Sequence, residues 1–95
     1  MKRAMPVLDP TEITRKRLLW RATHRGIKEM DILLGGFATR HLSTMPAENL
    51  SEFAQLLELP DQDLLSWATK LEPVPPHLQS KMLTAILTFR PETVS

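Results

Sequence analysis

Apolar side chains recur at steps of three and four through the middle of the chain: Ile27, Met30, Leu34, Phe37 and then His41, with Leu33 and Ala38 widening the stripe. That is the period of a helix with one buried face, and it predicts a helix from about 27 to 43. Leu50, Phe53, Ala54 and Leu57 repeat the i, i+3, i+4, i+7 spacing and predict another over about 48–58. Upstream, Asp9, Pro10 and Glu12 have the chemistry of a helix start, so a first helix is expected from there to about His24, with Gly26 as punctuation. Pro60 and Asp61 restart the chain. Asp61 is expected to accept from the free N–H groups of a helix ending near Lys70, with Leu64, Leu65, Ala68 and Leu71 inward. After the stiff Pro73, Pro75, Pro76 connector, Leu78, Met82, Ala85, Ile86 and Phe89 predict a last helix to about Arg90, stopped by Pro91. Alternating apolar and polar runs are nearly absent and there is no tyrosine, so the fold expected is all-α. It is a small five-helix bundle in one domain over 11–90, with loose ends at 1–10 and 91–95.

Composition narrows the chemistry. Ninety-five residues with 42% hydrophobic content suit one thin but sufficient core. With no cysteine, disulfides, thiolate metal sites and cysteine nucleophiles are excluded, which suits a reducing cytosol. The longest apolar runs, such as Ile32 to Leu34, fall far short of the roughly 20 residues that span a bilayer. The N-terminal ten residues lack a signal-peptide core and an Arg-rich presequence, so a mature bacterial cytoplasmic protein is expected, or a processed mitochondrial matrix one. A net charge of +1 conceals a polarity: residues 1–28 hold eight Lys/Arg against two acids, and residues 29–95 hold four against nine. The basic third permits a nucleic-acid-binding regulator as an alternative, but the acidic remainder opposes a broad phosphate-tracking surface. An antitoxin-like interaction protein fits the size and polarity but no motif.

Catalytic signals are weak. His24, His41 and His77 lie on separate segments without metal-ligand spacing, and read as exposed helix-end residues at 24 and 77 and a half-buried one at 41. No phosphate-cradling glycine loop follows a strand, and serines and threonines have ordinary cap or surface explanations, so an enzyme is the minority reading. The stretch from His24 to Phe37 is less ordinary. On a wheel of about 100° per residue, Lys28, Ile32, Gly35, Gly36 and Thr39 share its outer side. Each glycine costs roughly 0.8–1 kcal/mol against alanine in a helix interior. Close packing against another surface accounts for the pair; so does a distorted helix or tight packing within the bundle, and the wheel leaves both open. Residues 15–28 hold six Lys/Arg, a solvated basic face or a patch for acidic groups. In it, Arg25 and Glu29 stand four apart and can pair along a helix, while Gly26 allows a left-handed turn or close approach.

These residues carry a resemblance. The stretch 17–37, with Arg25-Gly26-x-x-Glu29, Asp31 and Phe37, followed by the segment around Asp61 to Leu64 and by Trp67, resembles the FAD assembly factor family, also called succinate dehydrogenase assembly factors. The resemblance spans about 15–90. It implies a five-helix, non-catalytic, chaperone-like protein that binds the flavoprotein subunit of succinate dehydrogenase, and often of fumarate reductase, and promotes covalent FAD attachment to a client histidine. It implies client contacts at Arg25, Gly26, Glu29 and Asp31, with Arg17 and Arg21 as basic neighbours, and no metal. No FAD is held stably, and the free protein is a monomer. His24, Lys28 and Met30 depart from the commonest form of the motif, which bears on client choice.

Overall fold

Asp9 opens the first helix by accepting a hydrogen bond from the Thr11 amide at 3.0 Å, and Pro10, with no N–H to leave unpaired, takes the first helical position. The computed structural model describes residues 9–90, and the described residues form helices and connectors without a strand. Helix α1 is Pro10–Thr23 and α2 covers residues 28–41. Helices α3, Ala47–Leu57, α4, Asp61–Ala68, and α5, Lys81–Leu87, complete the five. Short 3-10 turns lie at Leu42–Thr44 and Pro76–Leu78. Of the expected loose ends, Asp9 and Pro10 belong to the start of α1, while residues 1–8, the tail at 91–95 and the stop at Pro91 lie outside the described residues.

α1 contributes few apolar groups, Leu18 and Ala22 one turn apart, and lies along both α2 and α3. The first turn of α2 rests on α4, and α5 closes the core by packing on α4 and on the middle of α2. Phe53, Met30, Leu34, Leu64, Leu83 and Ile86 are fully buried in one hydrophobic cluster, with the Phe37 and Phe53 rings stacked at 5.9 Å. Each such side chain contributes about 1.5–3 kcal/mol by leaving water.

The middle of α2 departs from a regular helix. Lys28–Met30 and Gly36–His41 are α-helical, but Asp31–Gly35 forms a π turn. One extra residue per turn rotates everything downstream by about one position on the wheel. Gly35 consequently faces inward and Leu42 is buried, Ala38 stays in the buried stripe as expected, and His41, expected half-buried, is exposed with its ring 4.5 Å from that of Phe37. The glycine pair therefore serves packing inside the bundle. A Cβ on Gly35 would lie 3.1 Å from Thr23 Cγ2 and 3.4 Å from the Ala22 carbonyl oxygen, so this glycine lets α1 and α2 meet backbone to backbone. A Cβ on Gly36 would lie 2.6 Å from the Phe89 ring. Ile32 stays outward, 42% exposed.

Two other expectations are corrected. α4 ends at Ala68 because Lys70 adopts φ 64°, and the Leu71 amide bonds back to the Ser66 carbonyl at 2.9 Å. Leu71 lies beyond that reversal and is 78% exposed, and Trp67 fills the inward place. The last helix starts at Lys81, capped by the Ser80 hydroxyl accepting from the Leu83 amide at 3.0 Å, and ends at Leu87. In that register Met82, Leu83 and Ile86 are buried, Ala85 is exposed, and Leu78 and Phe89 pack on the core from outside the helix.

Gly36→Ala is expected to lower the thermal midpoint, because Phe89 must leave its edge contact with Phe37 to make room. In a Phe89→Ala background the same substitution should stabilise by about 0.8–1 kcal/mol through helix propensity. A double-mutant cycle of urea unfolding measures the difference; equal effects in both backgrounds would refute the steric account.

Candidate functional site

α1 stops at Thr23, and three residues later Gly26 turns the chain at φ +96°, a dihedral that side-chain-bearing residues rarely adopt. A Cβ there would meet nothing within 4 Å, so the backbone angle alone calls for glycine. The turn is braced by its predecessor. The Arg25 amide donates to Asp31 Oδ1 at 2.7 Å, tying the connector to the second turn of α2. The Arg25 guanidinium reaches across to the α3–α4 connector. It donates from Nε to Asp61 Oδ1 at 2.8 Å, from Nη1 to the Leu57 carbonyl at 2.6 Å and from Nη2 to the Leu59 carbonyl at 3.0 Å. Its side chain is 11% exposed and that of Asp61 18%. The Leu57 carbonyl is among the last of α3, where helical partners run out, and Asp61 opens α4. A planar fork with several donors meets this set of acceptors in a way that a lysine ammonium cannot.

The pairing of Arg25 with Glu29 along a helix face does not occur, since Arg25 precedes α2 and its guanidinium is engaged by Asp61. Asp61 likewise makes no cap bond to the α4 amides: Pro60 is the N-cap residue and the carboxylate points to Arg25. The signature therefore divides into two pairs. Arg25 and Asp31 are half-buried and hold the turn; Gly26 and Glu29 are exposed on it. Arg17 is exposed on α1, while Arg21 pairs with Glu58 of the α3 end at 2.5 Å. Arg15 donates from Nη1 to the carbonyls of Leu42 and Met45, the latter at 2.8 Å, bonding the end of α2 to α1. Half of the basic run is thus engaged by partners within the chain, Arg15 and Arg25 in the fold and Arg21 at its surface.

A family model described as the flavinator of succinate dehydrogenase matches residues 16–90, the stretch that contains the braced turn and all its partners. The chain belongs to this family. It is 44% identical over 75 residues to the FAD assembly factor SdhE of Acetobacter pasteurianus, covering 79% of this chain and 69% of that protein. It is 45% identical over 82 residues to the mitochondrial succinate dehydrogenase assembly factor 2 of Debaryomyces hansenii, with 83% and 58% covered. Against the mitochondrial assembly factor 2-B of Drosophila simulans it is 36% identical over 77 residues, with 79% and 49% covered. The chain thus spans from about half to about two thirds of the length of these relatives.

No group of three His, Asp or Glu side chains converges among the described residues, and no described helix is long and apolar enough to cross a membrane. A cleft of about 520 Å³, floored by Phe37, Met45 and Met82, opens at the far end of α2 and includes none of the six predicted contact residues. What sequence reasoning missed is the clamp. Its one legible trace was Asp61 in the segment that carried the resemblance, because the carbonyl acceptors have no side-chain signature.

Arg25→Ala leaves Asp61 and two carbonyls without their donor and is expected to destabilise by about 3 kcal/mol or more. Arg25→Lys should lose about 2 kcal/mol, because one ammonium cannot match the fork. Glu29→Ala should stay within about 0.5 kcal/mol of the parent. Urea unfolding ranks the three, and an Arg25→Ala variant as stable as Glu29→Ala would rule out the clamp.

Proposed function

We propose that this chain binds the flavoprotein subunit of succinate dehydrogenase, and that of fumarate reductase, and promotes covalent attachment of FAD to a client histidine. It acts as a monomer in a bacterial cytoplasm, or in the mitochondrial matrix if the source is eukaryotic. It holds no FAD stably and supplies no catalytic group. The observation that carries this reading is the braced turn: Gly26 and Glu29 stand in solvent while Arg25 and Asp31 lock them in place from behind. A surface fixed before it meets its partner loses less entropy on docking. FAD supplies the methyl-derived carbon to which the client histidine becomes joined. The role left to this chain is to hold a client conformation in which the two groups are aligned, and alignment alone can lower such a barrier by several kcal/mol. In this account Glu29 and Gly26 touch the client, Arg17 adds a free cation nearby, and Arg25, Asp31 and Arg21 act through the protein's own frame.

The nucleic-acid reading loses support, because Arg15 and Arg25 are engaged inside the fold and cannot track phosphates without breaking those contacts, and Arg21 is paired at the surface with Glu58.

In-gel flavin fluorescence of the client subunit is the direct test. The wild-type chain should raise covalent flavin, and Glu29→Ala should reduce it by about tenfold with unfolding unchanged. Client flavin that is the same with and without the chain would refute the proposal.

A further inference from the structure

Trp20 is 62% exposed, whereas the other tryptophan, Trp67, is 8% exposed. A large indole left in solvent is uncommon, and this one is held in place. The His24 ring stacks on it with centroids 4.2 Å apart and planes 11° apart. His24 is itself fixed, with Nδ1 2.8 Å from the Trp20 carbonyl oxygen and 3.0 Å from Thr23 Oγ1. Ile13, Arg17, Trp20 and His24 follow one another at steps of four, three and four, so they form one stripe on the outer face of α1. Ile13 is 37% exposed, and Lys16 and Arg17, one turn before the indole, are exposed and enter no ion pair among the described residues. The other arginines of this run, Arg15, Arg21 and Arg25, all have partners. The stripe ends at His24, directly before the Arg25-Gly26 turn.

We infer that the Trp20–His24 pair with Arg17 is a second contact point for the client, which receives the indole in an apolar pocket rimmed by carboxylates. This rests on the client-binding reading above and extends it from the turn to the whole outer stripe of α1. Three features select the occupant. Unpaired cations beside the indole call for acidic groups. A pre-stacked, rotationally fixed aromatic beside arginine has the composition of interface hot spots. Continuity with the Gly26–Glu29 turn places both contacts within reach of one partner. A nucleic acid could also stack on the indole, but exposed Glu58, paired with Arg21 next to the stripe, opposes a phosphate backbone.

The test measures affinity for the purified client flavoprotein subunit, and for a single-stranded oligonucleotide, with wild type, Trp20→Ala, Arg17→Glu and Glu29→Ala. Trp20→Ala should raise the client Kd about tenfold or more, with thermal unfolding unchanged because the indole is exposed. Arg17→Glu should raise it as well and flatten its salt dependence. Parent-like client binding by Trp20→Ala, with Glu29→Ala weakened, would overturn the second contact and leave the client reading standing. Oligonucleotide binding lost in Trp20→Ala with client binding intact would assign the stripe to nucleic acid and overturn the inference. A wild-type chain that does not bind the client would sink both.

Discussion

A single largely buried guanidinium ties together three parts of this chain: the α1–α2 connector, the end of α3 and the head of α4. Arg25 follows the end of α1, satisfies the carbonyl of Leu57 at the end of α3 and that of Leu59 in the connector, and neutralises Asp61 at the head of α4. Buried charge is costly unless paired and fully hydrogen-bonded, and here both partners are largely shielded from water. The arrangement therefore works as a constraint: with the side chain anchored, the Arg25 backbone has one position, from which its amide bonds Asp31 and Gly26 adopts its left-handed angle. The exposed turn inherits its shape from groups 36 residues away in sequence.

The second constraint is the approach of α1 to α2. α1 buries only Leu18 and Ala22, so hydrophobic area alone would hold it weakly. Its attachment comes from backbone closeness at Gly35, which the π turn delivers to the inner face, and from Arg15 bonding the carbonyls at the end of α2. The outer face of α1 is thereby left for other use, and its tryptophan is stacked on histidine and not sunk in the core. Contacts within the chain engage Arg15, Arg21 and Arg25, and among the described residues of the first third Lys16, Arg17 and Lys28 are exposed and enter no ion pair.

The helices were legible in the sequence because apolar spacing and end signals agree: Asp9 and Pro10 start α1, and Leu50, Phe53 and Leu57 define α3. The wheel misplaced Gly35 and His41, while Phe37 and Ala38 are buried as it predicts, because it assumes a constant turn and nothing in the composition of residues 31–35 announces the added residue. Leu71 was misplaced because Lys70, a residue type with no special liking for positive φ, makes the reversal that ends α4. At the site, the motif located the turn but not the division of labour within it. A pattern of Arg, Gly and Glu looks like one surface; only the fold shows that the arginine faces Asp61 while Gly26 and Glu29 face solvent. Long-range partners of one side chain leave no local periodicity.

The central claim is that Arg25 serves the client through the protein's own frame. It is tested most directly by a double-mutant cycle of Arg25→Ala and Asp61→Ala, read in client affinity as well as in unfolding. The account predicts that Asp61→Ala weakens client binding to a degree comparable with Arg25→Ala, that the double variant is little worse than either, and that both readouts show coupling of about 1 kcal/mol or more. Client binding lost in Arg25→Ala but untouched in Asp61→Ala would contradict it, and would move the guanidinium to the client surface.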